Sequence, residues 1–114
     1  MVQNKQKNKS ELLPGTLEML ILKTLTFGAM HGYGIAHRIK LVSEDVLQVE
    51  EGSLYPALQR IQLKGWVSSE WRQTPTNRRA RYYKLTAAGR KQMVAEAAEF
   101  DRMVEAIARV MQPA

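Results

Sequence analysis

At 114 residues the chain is long enough for one domain and too short for two, and its 45% hydrophobic and 25% charged residues are those of a globular chain rather than a disordered one. It contains no cysteine, which excludes a disulfide scaffold and thiolate-ligated zinc. Seventeen Lys and Arg against eleven Asp and Glu leave a net charge of +6, which admits a polyanionic partner; no apolar run approaches the roughly 18 residues of a membrane span, so a cytoplasmic protein without membrane contact is expected.

Residues 1–11 are polar, with Lys5, Lys7 and Lys9 among them, and read as a basic flexible tail that is either solvated or an arm for phosphate. From Pro14, a residue favoured at helix starts, Leu17, Leu20, Ile21 and Leu25 recur at helical spacing until Gly28. That pattern predicts a first, largely buried helix. In "HGYGIAHRIKLVSED" Ile35, Ile39 and Val42 share one side while His37, Arg38 and Lys40 are spread over the rest, giving a short second helix whose leading turn is set by Gly32 and Gly34.

A third helix is predicted in "EEGSLYPALQRIQLKGWV". Ser53 is its expected N-cap and Gly65 lies past its end; Pro56 then falls in the first turn, where its missing N–H would have had no intrahelical partner. Leu54, Leu58 and Ile61 point inward, leaving Tyr55, Gln59 and Gln62 as a hydrogen-bonding outer face.

After Gly65 the period shortens to two. "WVSSEW" and "RARYYKL" predict a β-hairpin, with a loop over residues 72–77. Residues 70–84 hold five cations and one acid, +4 of the chain's +6. Thr86 opens a last helix reaching about Met111, on which Met93, Ala97, Phe100, Val104, Ile107 and Met111 alternate at spacings of four and three, a heptad stripe suited to a dimer interface. Val94, Met103 and Val110 add apolar surface beside it, and the charges on this helix cancel. Trp66 and Trp71 are expected to pack in the core or the hairpin, and the methionines Met93, Met103 and Met111 to fill gaps at the dimer seam.

Three short helices, a cationic hairpin and a long terminal helix form the order of a winged helix-turn-helix: a mainly α fold with one small hairpin, a DNA-binding domain at residues 12–85 and a dimerisation helix at 86–114. The third helix would enter the major groove, with Ser53 and Tyr55 on phosphate, Gln59 on adenine N6 and N7, and Arg60 on phosphate or guanine. Arg72, Arg78, Arg79 and Arg81 would meet the backbone, because a cluster of cations repels itself unless an anion faces it. A winged helix used only for protein contacts is the competing reading. An enzyme would need a nucleophile with its base, paired carboxylates, a phosphate loop or a metal set, and none is visible. No cofactor and no metal are expected, since His31 and His37 have no third ligand near them.

The segments "PGTLEMLILKTL", "HGYGIAHRI", "GSLYPALQRIQLKGWV" and "RRARYYKLTAAGR" resemble, in order and spacing, those of the PadR family of bacterial transcriptional regulators, in the shorter branch with a single terminal helix. The resemblance covers residues 14–90. It implies a homodimeric winged-helix regulator, usually a repressor on a pseudo-palindromic operator. It also implies DNA contacts at Tyr33, Ser53, Tyr55, Pro56, Arg78, Arg79 and Arg81, and leaves room for release by an unidentified small effector. Some members of that branch hold flat aromatic ligands between tryptophans of the terminal helix; this terminal helix contains no tryptophan.

Overall fold

The computed structural model describes residues 15–113; the expectations for the basic tail and for Pro14 lie outside the described residues. The elements are α1 (Thr16–Thr24), a 3-10 turn (Leu25–Phe27), β1 (Met30–His31), α2 (Gly32–Val42), α3 (Glu51–Leu63), β2 (Val67–Gln73), β3 (Arg79–Leu85) and α4 (Ala87–Met111). The core is built from one stripe of each short helix and the base of the hairpin: Ile21, Leu22, Ile35, Leu54, Leu58 and Ile61 are fully buried, and Val67, Tyr83 and Leu85 close it from the sheet. Burial of a Leu or Ile side chain contributes about 1.5–3 kcal/mol, so this stripe sets the orientation of α3.

The sheet has three strands in the order β1-β3-β2, all antiparallel. β1 is only two residues long and pairs Met30 with Tyr83 and His31 with Tyr82. The sequence reading contained no such strand, because two residues are too few to show a period. Its effect is to fasten the start of α2 to the hairpin.

Gly32 and Gly34 lie inside the first turn of α2 rather than in a turn before it, and neither has positive φ. The cap is His31, whose Nδ1 accepts from the Gly34 N–H at 3.0 Å. At Gly32 the requirement is space: a Cβ there would meet the Tyr55 ring, with Oη at 2.6 Å.

α3 begins three residues earlier than a Ser53 cap allows. Glu50 is the N-cap in extended backbone, and the Leu54 N–H already bonds its carbonyl at 2.9 Å. Pro56 is therefore well inside the helix, where it withholds the N–H that would reach the Gly52 carbonyl four residues back. The far end matches expectation: Gly65 at φ 81 ends the helix, with Trp66 N–H bonding Ile61 O and Gly65 N–H bonding Gln62 O, a Schellman closure.

β2 runs two residues further toward the tip than the predicted loop allowed, so that Arg72 pairs with Ala80 and Gln73 with Arg79, while β3 covers the expected RARYYKL. The turn itself is closed by Thr74 N–H to Arg78 O and Asn77 N–H to Thr74 O. α4 starts at its expected cap, Thr86, whose Oγ1 accepts from Gly89 N–H and donates to Gly65 O. Its first half packs on α1 and on the hairpin base; every residue in 98–113 is exposed. The fold is thus a small helical domain with a hairpin wing on one side and a long helix standing away from it.

Candidate nucleic-acid interface

At 3.6 residues per turn, the burial of Leu54, Ala57, Leu58 and Ile61 leaves Gly52, Pro56, Gln59 and Leu63 along the outward crest of α3. Tyr55 and Gln62 are not opposite the core, as the sequence reading had them, but on the flank nearest the wing. Ser53, Arg60 and Lys64 occupy the other flank, toward α1. Gln62 accepts from the Ser69 hydroxyl at 3.3 Å, and Ser69 Oγ in turn accepts from Arg81 Nε at 2.9 Å. That relay ties wing to helix, and Tyr55, Gln59 and Arg81 line one cleft of about 370 Å³ between them.

Strand pairing sorts the wing's charges. Trp71 faces Arg81 and Gln73 faces Arg79 across the ladder, in the same parity as buried Val67, Tyr83 and Leu85. Alternate residues of a strand share a face, so Arg79 and Arg81 lie on the side that looks toward α3. Trp71 is 56% exposed and serves as hairpin packing rather than core: Arg79 and Arg81 sit over its ring at 5.3 and 5.8 Å. Each such contact contributes about 0.5–1 kcal/mol at an exposed site and holds a guanidinium in place without neutralising it. Among the described residues, no carboxylate pairs with Arg78, Arg79 or Arg81.

Two of the predicted contact residues are turned elsewhere. Arg72 is on the opposite face of the wing, where its Nε donates to Glu70 Oε2 at 2.6 Å and its guanidinium covers Tyr82. Arg60 Nε donates to Glu18 Oε2 of α1 at 2.6 Å, and Lys64 Nζ stands 3.6 Å from the same carboxylate, whose side chain is only 9% exposed. The nearly buried acid needs these cations, so Arg60 is a structural cation first.

Five of the remaining predicted contacts converge, while Gln59 lines the neighbouring cleft and Ser53 and Pro56 border neither. Tyr33, Tyr55, Arg78, Arg79 and Arg81 line one open cleft of about 780 Å³ together with Trp71, Gly32 and His31. Tyr33 is 72% exposed and lies in a row of rings between His31 and His37, at centroid distances of 6.3 and 6.0 Å. A further hollow between α2 and α3 is bordered by His37 and Lys40 on one side and Glu50 and Glu51 on the other. Tyr83, below Arg81, has its phenol pKa raised by burial, lowered in part by the Arg81 charge and raised again by Tyr55. Trp71, His31, Gly32 and Leu63 were not singled out for this surface by sequence reasoning; strand parity from the buried end of the hairpin would have found Trp71.

A family profile described as "Transcriptional regulator PadR-like family" matches residues 21–95, from within α1 through both wing strands into α4. The chain belongs to the PadR-like family of transcriptional regulators. Among solved structures it is similar to a transcriptional regulator from Clostridium thermocellum, 25% identical over 90% of this chain and all of that one, with a TM-score of 0.81. A PadR-like transcription factor from Bacteroides fragilis is 28% identical, over 84% of this chain and 90% of that one, at 0.69. A PadR family regulator from Clostridium difficile R20291 is 25% identical, over 86% and 100%, at 0.74. PadR-like regulators bind DNA. This chain sets a polar helix face beside a wing whose Arg78, Arg79 and Arg81 have no carboxylate partner among the described residues. Among the described residues, no helix is long and apolar enough to cross a membrane, and no group of three His, Asp or Glu is gathered to hold a metal ion.

Proposed function

We propose that this PadR-like chain is a homodimeric, sequence-specific DNA-binding regulator that represses transcription from a pseudo-palindromic operator. α3 lies in the major groove, with Gln59 on its crest pairing to adenine N6 and N7 and Leu63 against a thymine methyl. Tyr33, Ser53 and Tyr55 hydrogen-bond phosphates beside it, with Pro56 shaping the exposed turn between them, while Arg78, Arg79 and Arg81 track the adjacent backbone and release counterions there. Residues 12–85 form the DNA-binding unit and 86–114 the dimerisation helix.

The observation that carries this reading is the shared cleft in which tyrosines of α2 and α3 meet three wing arginines that have no carboxylate among the described residues. The dimer is supported by α4: Phe100, Val104, Ile107 and Met111 are 45%, 46%, 54% and 74% exposed, an apolar stripe that a single chain leaves in water. Met93, which packs against the core, and half-buried Ala97 begin the same stripe. Two α4 helices packed along it set the distance between two α3 helices, so that half-sites fall about 34–36 Å, one turn of DNA, apart. An effector that repacks the α4 pair changes that distance and releases the operator.

The experiment is a footprint on the DNA flanking the chain's own coding sequence, repeated at two salt concentrations. Protection of two symmetric half-sites that weakens steeply with salt is expected. Equal affinity for that DNA and for a shuffled duplex would instead point to a winged helix used for protein contacts.

A further inference from the structure

Away from the wing, the end of α1, the Leu25–Phe27 turn, α2 and the segment after α2 enclose a cleft of about 240 Å³. Its walls are apolar, made by Leu20, Phe27, Ile39, Val42 and Leu47. The hydroxyls that border it are already engaged: Thr24 Oγ1 donates to Leu20 O at 2.7 Å, and Ser43 Oγ accepts from Leu47 N–H at 3.0 Å. Two cations remain. Lys23 Nζ and the Arg38 guanidinium lie 5.8 and 4.6 Å from the centre of the Phe27 ring, and neither has a carboxylate partner among the described residues. Phe27 itself is 63% exposed.

A small apolar pocket with one kind of unmatched polar function selects a ligand that is apolar except for one group of opposite charge. We propose that this cleft binds a medium-chain alkyl monocarboxylate, its chain against Leu20, Ile39, Val42 and Leu47 and its carboxylate between Lys23 and Arg38. Arg38 accepts the carboxylate through its planar fork, which a lysine cannot replace. The site is separate from the DNA surface, because Arg38 and Val42 lie on the flank of α2 away from Tyr33, His37 and Lys40.

The cleft also touches the connection to α3. In residues 43–50 the non-glycine residues Glu44 and Asp45 hold φ values of 55 and 68, a conformation with an intrinsic cost, and Leu47 from the same segment is part of the cleft wall. A chain packed on Leu47 biases where this connection holds α3, and so changes operator affinity; that consequence rests on the DNA-binding reading, whereas binding of the acid does not.

The test is calorimetric titration of the full-length protein with octanoate below its micellar concentration, beside octan-1-ol as the uncharged counterpart. Octanoate is expected to bind at one site per chain, about tenfold or more tighter than the alcohol, with Arg38→Gln weakening octanoate by a similar factor and leaving the alcohol unchanged. Val42→Trp, on an exposed wall, should abolish both without lowering the melting temperature. No binding, equal affinity for acid and alcohol, or octanoate affinity unaltered by Arg38→Gln or Val42→Trp would overturn the proposal. Arg38→Gln should leave operator affinity intact when no acid is present; a loss there would make Arg38 a DNA contact, overturning this site while leaving the DNA-binding reading in place.

Discussion

Gly32→Ala separates recognition from folding. The first residue of α2 has ordinary helical backbone, and alanine is favoured over glycine by up to about 1 kcal/mol in a helix. The new Cβ, however, would lie 2.6, 2.8 and 2.9 Å from Oη, Cε1 and Cζ of Tyr55, where carbon atoms rest at about 3.5–4.0 Å. The ring has to move by roughly an ångström, and because Tyr55 is 44% exposed it can swing outward instead of forcing the backbone. Folding stability should therefore change by no more than about 1 kcal/mol, the gain in propensity offsetting lost ring contacts. Operator binding should lose the Tyr55 hydrogen bond, about 1 kcal/mol or fivefold in each half-site and roughly 25-fold for a symmetric dimer. Urea unfolding and fluorescence anisotropy on an operator duplex measure the two quantities, with Tyr55→Phe as the limit in which only the hydroxyl is removed. An unchanged urea midpoint together with operator affinity within about twofold of the parent would refute the reasoning, since Tyr55 would then be displaced at no cost to recognition.

Strand parity predicts that Arg79→Gln and Arg81→Gln each reduce the salt dependence of operator binding, by about 1 in the log–log slope per half-site, whereas Arg72→Gln, on the other wing face and tied to Glu70, leaves it unchanged; anisotropy titrations at several salt concentrations compare the three. Gly89→Ala differs from Gly32→Ala because its Cβ would lie 1.9 Å from the Trp66 carbonyl oxygen, which is backbone and already accepts from Thr86 N–H; calorimetry or urea unfolding should show a loss of at least about 3 kcal/mol. Burial raises the Tyr83 pKa above its ordinary value, against a partial lowering by Arg81, so the folded chain holds that proton more tightly than the unfolded one. Its contribution is complete below about pH 10 and is lost as pH rises through the raised value; urea unfolding across the alkaline range should show this loss in the parent and a smaller one in Tyr83→Phe. Ile107→Asp places a charge in the exposed stripe of α4 and should shift the protein toward monomer in sedimentation equilibrium while leaving the core-based melting of the winged domain in place.

Element order and most element types were legible in the sequence because they follow from local periodicity. Leu54, Leu58 and Ile61 mark α3 at helical spacing, the alternation after Gly65 marks the hairpin, and Thr86 with the following stripe marks α4. The start of α3 was misread since Ser53 has the chemistry of a cap, yet the backbone enters the helix at Glu50 and carries Pro56 in its interior. β1 escaped notice because its pairing partner is 51 to 53 residues away in the chain, at Tyr82 and Tyr83.

The order of residues along the chain was enough to show a concentrated cationic hairpin following a helix with a polar face. Only tertiary structure decided which of those charges are free. Arg60 and Glu18 are 42 residues apart in sequence and meet because α1 and α3 share a core, while Arg72 parts from Arg79 and Arg81 because the register set at Val67 and Leu85 runs unbroken to the wing tip. A residue's type states what it can bind; which partner reaches it first is set by long-range packing, and no local window of sequence contains that information.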